Sequence, residues 1–305
     1  MKKQVRNHSA SILVTGASGF IGGKLCSYLV QRGHRVLGVV RRDIALPNGV
    51  IPLHADVSQA DQVREIIDRQ KPDVIFHLAS HVTGERSIDF VLPTFVANLA
   101  STVYLMDAAV RNGCRRFVVA GSLEEPESVD EPPCSPYAAA KMAAAAYARM
   151  FHVLYQLPVV VARIFMVYGP DQKDEKKLIP YVINSLLDGK TPKVSSGTRL
   201  VDWVYVDDVL KCLVRLAEDD RLIGHTVDIG TGHLVSVRTV VERIAHLIAS
   251  NVPLHFDPGT DRPLEQIRVA NVARTASLLG WYPQTSLDAG LQATINWHKG
   301  VRRSL

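Results

Sequence analysis

The sequence lacks closely spaced cysteine pairs, which are typical of disulfide frameworks. It also lacks clusters of metal-ligating residues, by which a metal site can be recognised in a sequence. Its 11 histidines form no close ligand cluster. Its four cysteines form no Cys-x-x-Cys pair: Cys26, Cys114, Cys134 and Cys212. We therefore expect neither a disulfide framework nor a metal site. Reduced thiols of this kind are typical of a cytoplasmic protein, which is the predicted location.

Long apolar runs are missing as well. The basic start, residues 1–10, leads into no extended apolar stretch. No later run approaches the ~18 apolar residues of a membrane span. The expectation is a chain that neither leaves the cell nor enters a membrane.

A sustained excess of one charge is also lacking. The chain carries 35 basic and 30 acidic residues, but six of the basic ones lie in the terminal segments 1–10 and 299–305, which contain no acid. Removing those six leaves 29 basic against 30 acidic residues. Because the body is neutral, neither a nucleic-acid partner nor a membrane surface is expected.

What the chain does contain is a regular alternation of short apolar runs and helical patterns. Six runs are typical of buried strands: Ser11–Thr15, Arg35–Val40, Gly49–His54, Asp73–His77, Arg116–Ala120 and Leu157–Ile164. Most are separated by segments of helical spacing, and alternating strands and helices imply a parallel sheet covered on both faces. The predicted fold class is α/β, a Rossmann-type doubly wound parallel sheet with a smaller C-terminal α/β substrate lobe.

The pattern loosens after Tyr168, where the substrate lobe is expected. One strand is predicted there, at Leu200–Val206. Five helices are predicted at Lys177–Asp188, Asp207–Glu218, Val235–Ser250, Asn271–Leu279 and Ser286–Lys299. We predict a Rossmann domain over residues 1–165, with a return of roughly 206–230 to the sheet, and a substrate-binding lobe over 166–205 and 231–305.

A glycine-rich loop, Thr15–Gly22, stands between the first strand and a helix that begins near Phe20. Its glycines permit a tight turn and let the backbone approach a pyrophosphate at the positive end of the helix. The pattern predicts dinucleotide binding rather than a plain turn. The loop residues expected to hold the cofactor are Gly16, Ser18, Gly19, Phe20, Ile21 and Gly22.

The end of the second strand indicates which dinucleotide is bound. An NAD site usually carries an acid here for the ribose 2′-hydroxyl, whereas Arg suits a 2′-phosphate. This strand ends in Arg41 and Arg42, with no acid before Asp43. The two arginines favour NADP over NAD, the alternative being that both are solvated loop charges.

Tyr137 and Lys141 form a candidate acid/base pair. They lie four residues apart in a predicted helix, so their side chains project from one face. A free Tyr titrates near pH ~10, and a neighbouring positive charge favours the phenolate, which brings proton exchange toward neutral pH. The spacing alone also fits an ordinary contact on a helix surface.

These motifs, in this order, resemble the extended short-chain dehydrogenase/reductases of the NAD-dependent epimerase/dehydratase family, which mostly modify nucleotide sugars. The similarity extends along essentially the whole chain. Its further landmarks are Ala55-Asp-Val57, Phe76-His-Leu-Ala79, Asn98, Gly121-Ser122, Val167-Tyr-Gly-Pro170, Asp202-Trp-Val-Tyr-Val-Asp-Asp208 and Leu279-Gly-Trp281.

The resemblance implies a mechanism and more contacts. Tyr137 is expected to exchange a proton with a sugar hydroxyl, conventionally at C4, while Lys141 lowers the Tyr pKa and holds the nicotinamide ribose. Ser122 is expected to hydrogen-bond the same oxygen, its alternative role being that of a turn residue. Further implied cofactor contacts are Asp56, Val57, Leu78, Ala79, Ser80 and Asn98, the last of which is alternatively a satisfied polar group within its helix.

The reaction type depends on the residues after Ser122. Glu124 stands where GDP-mannose 4,6-dehydratases and related 4-keto-6-deoxy-sugar reductases carry a Glu, which makes it a candidate catalytic acid. Leu123 stands where dTDP-glucose 4,6-dehydratases carry an Asp acid, so such an elimination lacks one proton carrier. The connection to Tyr137 is also shorter than usual in the family, and Glu124 is alternatively a solvated loop acid.

The substrate side departs from the family pattern. Met166 replaces an Asn used near the nucleotide diphosphate, and Val201 replaces the Arg that usually precedes the strand Asp. Arg199 lies two residues before Val201, on the same face of an extended strand, and is expected to substitute partly. Arg262 resembles a diphosphate-binding Arg, and Thr83 is also expected to contact substrate.

The leading interpretation is an NADP-dependent 4-keto reductase of a nucleotide-activated sugar. The alternatives are a nucleotide-sugar 4-epimerase or 4,6-dehydratase, a reductase of a non-sugar carbonyl, and a non-catalytic NADP-binding regulator. A homodimer is expected, because Ala138–Ala140 and Ala143–Ala146 allow close helix packing and the family commonly dimerises through this helix and the one around Asn98–Val110. Alanine is also simply a strong helix former.

Overall fold

The computed structural model describes residues 9–128, 130–260 and 265–303. The described chain divides into two compact units. The first contains the chain through Gly121, together with Ser135–Val161 and Leu216–Thr226. The second contains the remaining segments: Ser122–Cys134, Ala162–Arg215 and the chain from Val227 onward.

Within the described residues, twelve strands form three sheets. They are β1 (Ser11–Thr15), β2 (Arg35–Val40), β3 (Ile51–His54), β4 (Val74–His77), β5 (Arg116–Ser122), β6 (Val159–Ile164), β7 (Met166–Tyr168), β8 (Lys193–Ser195), β9 (Leu200–Tyr205), β10 (Thr226–Ile229), β11 (Leu234–Ser236) and β12 (His255–Asp257). The largest sheet has seven strands in the order β3-β2-β1-β4-β5-β6-β10, and the smaller ones have the orders β11-β9-β7 and β12-β8.

The seven-stranded sheet is of the parallel, doubly wound type. β1 pairs in parallel with both β2 and β4, and the pairs β2/β3 and β4/β5 are parallel as well. Because a parallel sheet is covered on both faces, its central strands are apolar runs, and β4 is buried throughout, whereas the edge strand β3 is mostly exposed. The predicted Rossmann-type fold class is confirmed.

Ten α-helices in the described part of the chain connect and cover the strands. They are α1 (Phe20–Val30), α2 (Ala60–Gln70), α3 (Val91–Thr94), α4 (Ser101–Arg111), α5 (Pro136–Tyr155), α6 (Leu178–Leu187), α7 (Val206–Glu218), α8 (Val237–Ile248), α9 (Val272–Leu279) and α10 (Leu287–Arg303). A π-helical segment, Phe95–Ala100, joins α3 to α4. In the first unit, Leu13, Ile75, Leu105 and Phe117 are fully buried members of one core.

The helical run Ile88–Arg111 departs from the sequence expectation. By length and composition alone it is apolar enough to cross a membrane, although no such run was expected. Core helices of water-soluble proteins meet the same criterion, and this run contains the buried polar residues Asn98 and Thr102. Its outer surface exposes Ile88 and Leu92.

A buried carboxylate organises the second unit. Asp202 in β9 is 1% exposed and accepts hydrogen bonds from Thr231 N at 2.7 Å and Thr231 Oγ1 at 2.6 Å. It also accepts from Gly232 N at 2.9 Å and Ala270 N at 3.1 Å. A carboxylate satisfied in this way fixes three backbone positions, so this family landmark has a structural role.

Candidate active site

The glycine loop forms a tight turn at the carboxyl end of β1. Gly16 has φ +71° and its carbonyl accepts the Gly19 N–H at 2.9 Å. A Cβ on Gly16 would lie 2.8 Å from the backbone nitrogen of Ala79, and a Cβ on Gly22 would collide with the Gly16 carbonyl. Both positions therefore require glycine, and the loop packs against the segment after β4.

The start of α1 suits an anion. Gly19 is its N-cap and supplies no side-chain hydrogen bond, and the first turn of the helix contains no acidic residue. The backbone N–H groups at this end are thus left to an outside acceptor, in the positive field of the helix. Ser18 is exposed beside them, whereas Phe20 and Ile21 are half-buried. These residues fit the pyrophosphate of a dinucleotide.

The predicted ribose and adenine contacts lie after β2 and β3. Arg41 and Arg42 are both exposed, while Val57 is buried. Asp56 accepts hydrogen bonds from Ser58 N at 3.0 Å and Ser58 Oγ at 2.7 Å. Partial burial alone would raise the pKa of Asp56, but these bonds and the charge of Arg41 lower it below the ordinary value.

Asn98 fixes the backbone that follows β4. Its side chain is fully buried in the π-helical segment, and its Oδ1 accepts from His81 N at 2.7 Å and Ser80 Oγ at 3.0 Å. Its Nδ2 donates to the His81 carbonyl at 3.2 Å. A π-helical turn is frequently found at functional sites, and here it aims an amide at the predicted cofactor segment rather than at its own helix.

A buried network that the sequence analysis did not identify connects the same segment to β1. His77 Nδ1 lies 2.8 Å from Thr15 Oγ1, and His77 Nε2 lies 3.0 Å from Thr102 Oγ1. Thr15 Oγ1 also accepts from the Leu78 and Ala79 N–H groups, at 3.2 and 3.1 Å. With both acceptor positions filled, the Thr15 hydroxyl donates to His77 Nδ1, which places the ring proton on Nε2.

His77 is held in its neutral form. Burial, and secondly the positive charge of Lys141, lower the pKa of His77 to about 3. The imidazole is therefore a fixed hydrogen-bonding strut at neutral pH and not a titrating acid or base. Its position beside Thr15 keeps the carboxyl ends of β1 and β4 in register beneath the glycine loop.

Tyr137 and Lys141 lie in the first two turns of α5. Ser135 caps the helix by accepting from Ala138 N at 3.1 Å, and Pro136 occupies its first turn. The Lys141 ammonium lies 5.8 Å from the centre of the Tyr137 ring and donates to the Ala120 carbonyl in β5 at 2.8 Å. Both side chains are buried, so the pair is no surface contact.

Ser122, the last residue of β5, begins a tight turn in the second unit. Its Oγ accepts from Glu124 N at 3.2 Å, and its carbonyl accepts from Glu125 N, also at 3.2 Å. The Ser122 N–H donates to Glu125 Oε1 at 2.7 Å. Because the hydroxyl already accepts one N–H, its own proton remains to be donated to another acceptor.

Glu124 is a partly buried member of an ionic group. Its Oε1 lies 3.9 Å from Arg199 NH2, and Arg199 NH1 donates to Glu265 Oε1 at 3.1 Å. Both carboxylates thus face the Arg199 guanidinium. Glu124 is therefore not a freely solvated loop acid, and it lies next to Arg199, which is a predicted substrate contact. Its predicted catalytic role and the substrate role of Arg199 stay predictions.

The remaining substrate predictions have mixed outcomes. Thr83 is half-buried and its Oγ1 accepts from Glu85 N at 3.1 Å, and its predicted substrate contact stays a prediction. Arg262 lies outside the described residues. Val201 and Leu123 are buried, and Met166 is half-buried.

The described residues contain no group of His, Cys, Asp or Glu side chains that could hold a metal ion. Three cysteines, Cys26, Cys114 and Cys212, are buried deeply enough that burial raises the pKa of their thiols. Such thiols are poor nucleophiles at neutral pH. The catalytic roles of Ser122, Tyr137 and Lys141 stay predictions.

Comparison with known proteins agrees with this geometry. The model of the NAD dependent epimerase/dehydratase family matches residues 12–230. A UDP-glucose 4-epimerase of Mycolicibacterium smegmatis is 33% identical, over 94% of this chain and 98% of its own. A probable dTDP-glucose 4,6-dehydratase of Sinorhizobium fredii is 30% identical, over 94% and 92% respectively.

Several similar proteins have been solved with bound ligands. MoeE5 in complex with UDP-glucose and NAD is 32% identical and has a TM-score of 0.83. The match covers 96% of this chain and 99% of the MoeE5 chain. The chain belongs to the NAD dependent epimerase/dehydratase family. The predicted enzyme class, an extended short-chain dehydrogenase/reductase, is confirmed, and a nicotinamide dinucleotide fits the residues of the glycine loop.

Proposed function

We propose that this chain acts at C4 of a nucleotide-activated sugar and that its leading reaction is 4-epimerisation with a recycled nicotinamide cofactor. The observation that carries the proposal is the buried Tyr137–Lys141 pair, anchored to β5 through the Ala120 carbonyl. A relative named as a UDP-glucose 4-epimerase, similar over nearly the whole chain, supports this reaction above the other family chemistries.

The chain's own residues supply proton transfer and positioning. Tyr137 takes the proton of the C4 hydroxyl and returns it when the opposite configuration forms. Lys141 favours the phenolate by its charge, and its hydrogen bond to Ala120 limits where the ammonium can lie. Ser122 donates its remaining hydroxyl proton to the same sugar oxygen and stabilises the charge that develops there. The bound dinucleotide supplies the acceptor and donor of hydride.

Leu123 opposes the dehydratase reaction. Elimination across C5 and C6 needs a second proton carrier, and the side chain next to Ser122 is a buried hydrocarbon. Glu124 is the nearest acid along the chain, but its carboxylate is directed to Arg199, 3.9 Å away. We therefore place 4,6-dehydration behind 4-epimerisation.

Reduction of a 4-keto nucleotide sugar by NADPH is the second candidate. Arg41 and Arg42, exposed after β2, favour a cofactor with a 2′-phosphate. A reductase consumes one reduced cofactor per turnover, and NADPH is the usual donor for such a step. Glu124 after Ser122 is the other residue that fits this reaction.

We also propose a homodimer formed through the first unit. The run Ile88–Arg111 and helix α5 pack against each other. They leave large apolar side chains uncovered: Ile88 is 79% exposed, Leu92 71%, Phe95 48% and Leu154 64%. Such an exposed apolar patch can be covered by the same patch on a second copy of the chain. The homodimer and its interface remain predictions. The cytoplasmic location also remains a prediction.

The dimer is tested by light scattering after size exclusion. Leu92→Glu places a charge in the patch and is expected to yield monomers at micromolar concentration, whereas wild type and Ile44→Glu, whose residue is 51% exposed elsewhere, stay dimeric. A monomeric wild-type protein would contradict the proposal.

One experiment separates the reactions. The purified protein is incubated with UDP-glucose, UDP-galactose, UDP-glucuronic acid and dTDP-glucose plus a trace of NAD, and with 4-keto sugars plus NADPH. A 4-epimer formed without net cofactor consumption supports the epimerase. Stoichiometric loss of NADPH absorbance with a 4-keto sugar supports the reductase, and a product lighter by one water supports the dehydratase.

A further inference from the structure

Glu125 is a second acid in the turn after Ser122, and it points to the interior. The residue is 3% exposed, whereas its neighbour Glu124 is partly exposed. Its Oε1 accepts the Ser122 N–H at 2.7 Å, and its backbone N–H donates to the Ser122 carbonyl at 3.2 Å. Glu125 thus closes the turn on both backbone groups of Ser122.

The other oxygen of Glu125 is fixed by an arginine in β6. Arg163 Nε and NH2 lie 3.3 and 3.2 Å from Glu125 Oε2, and Arg163 NH1 donates to Asp228 Oδ1 in β10 at 3.0 Å. Arg268 NH1 donates to the Glu125 carbonyl at 2.8 Å. Two arginines therefore bind Glu125 in this short turn, and Asp228 in turn binds one of them, Arg163.

The arrangement bears on the hydroxyl of Ser122. A side chain that accepts one N–H and must donate to a substrate oxygen depends on the angle at which its backbone is held. The Glu125 carboxylate holds that backbone, while Arg163 orients the carboxylate through two hydrogen bonds. Neither Glu125 nor Arg163 needs to touch the substrate for this effect.

We propose that Glu125 is a positioning residue for the reaction: its carboxylate, oriented by Arg163, sets the direction in which the Ser122 hydroxyl donates. This inference rests on the proposed function, in which Ser122 stabilises the oxygen at the reacting carbon. The two acids of the turn thus have different surroundings. Glu124 faces Arg199, whereas Glu125 contacts the backbone of Ser122.

A double-mutant cycle tests the inference with the cofactor-loaded enzyme and a nucleotide sugar that it turns over. Glu125→Gln keeps the size of the side chain but presents an amide NH2 to either Ser122 or Arg163, so one contact is lost. We expect kcat to fall about 10- to 100-fold with KM and the cofactor Kd little changed. Ser122→Ala is expected to lower kcat about 100-fold.

The double variant decides the outcome. If Glu125 acts through the Ser122 hydroxyl, Ser122→Ala with Glu125→Gln has the kcat of Ser122→Ala alone, within about twofold. If the two losses multiply, or if Glu125→Gln is as active as wild type, Glu125 has only a structural role and the inference is overturned. Asp130→Asn, which removes an exposed carboxylate from the same loop, is the matched control and should retain wild-type kcat.

Two further results keep this test separate from that of the function. If Ser122→Ala itself retains full activity, the proposed role of Ser122 fails and not merely that of Glu125. If Glu125→Gln does not fold, Glu125→Asp replaces it in the cycle, because it keeps the charge opposite Arg163 while withdrawing the carboxylate from the Ser122 N–H. If the double variant then has the kcat of Ser122→Ala alone, the inference is confirmed. If the two losses of kcat multiply, it is overturned.

Discussion

The ammonium group of Lys141 donates a hydrogen bond to the carbonyl oxygen of Ala120 at 2.8 Å, which ties helix α5 to strand β5 two residues before Ser122. A buried ammonium keeps its charge only when such acceptors are present. The strand that ends in Ser122 therefore also sets the position of the charge beside Tyr137. Lys141 thus links packing of the first unit to the proposed proton transfer.

Replacing Lys141 tests this link. Lys141→Met keeps most of the volume and removes the charge and the bond to Ala120. We expect kcat to fall at least about 100-fold and the rising limb of its pH profile to move to higher pH, because phenolate formation loses its neighbouring cation. Lys176→Met, at an exposed position, is the control and should leave the profile unchanged. An unmoved pH profile in Lys141→Met would argue against the pair.

A glycine comparison tests the cofactor loop. Gly16 and Gly33 both have positive φ, +71° and +79°, but only at Gly16 would a Cβ meet the Ala79 backbone, at 2.8 Å. Gly33→Ala is expected to cost about 1 kcal/mol of unfolding free energy and to leave the NAD Kd unchanged. Gly16→Ala should destabilise more and weaken NAD at least about tenfold. Both are measured by denaturant unfolding and calorimetric titration. Equal effects of the two would contradict the assigned geometry.

The arginines after β2 test the choice of cofactor. Arg41→Ala and Arg42→Ala are expected to weaken NADP about 10-fold or more, since each removes a charged partner of the 2′-phosphate, while NAD binding serves as the internal control. The ratio of the two Kd values is the readout. A wild-type protein that prefers NAD, with a ratio insensitive to both substitutions, would show that Arg41 and Arg42 are solvated loop charges.

Acid stability tests the His77 network. The folded-state pKa of about 3 lies below the ordinary value of 6.5, so between these values the unfolded chain binds a proton that the folded chain does not. Stability due to the neutral ring is therefore fully present above pH ~6.5 and is lost as pH falls toward 3, by up to about 1.4 kcal/mol per pH unit.

His77→Gln provides the comparison, because its amide can still bond Thr15 and Thr102 without titrating. Its free energy of unfolding should fall less steeply with acid than that of wild type, so the difference between the two narrows as pH decreases from 6.5. Urea unfolding at several pH values measures this difference. Parallel curves would contradict a neutral buried His77.

The sequence predicted the large sheet well because its central strands, such as β1, β4 and β5, are largely buried. The first and second predicted strands match the bounds of β1 and β2, and four others differ only at their ends. The three-residue strands β7, β8, β11 and β12 escaped prediction because three residues are too few to display a period. The π-helical segment around Asn98 likewise has no sequence pattern of its own.

The site was predictable where a motif is local and unpredictable where tertiary contacts decide. Gly16, Tyr137 and Lys141 lie in short motifs, so spacing and the family resemblance singled them out, and their roles stay predictions. Glu125 gave no such signal, because its partner Arg163 is 38 residues away in sequence and reaches it only from β6. Asp228, which binds Arg163 from β10, is 65 residues further along. The sequence directed attention to Glu124 instead.

The most direct test of the account is the kcat of Tyr137→Phe, measured with a cofactor-loaded protein and the nucleotide sugar that wild type turns over fastest. The substitution removes one hydroxyl from a buried ring, so the fold and the cofactor Kd should be preserved. We predict a fall of about 10²- to 10⁴-fold, the usual contribution of a positioned proton carrier. A Tyr137→Phe protein with wild-type kcat would contradict the central claim that this phenol carries the proton.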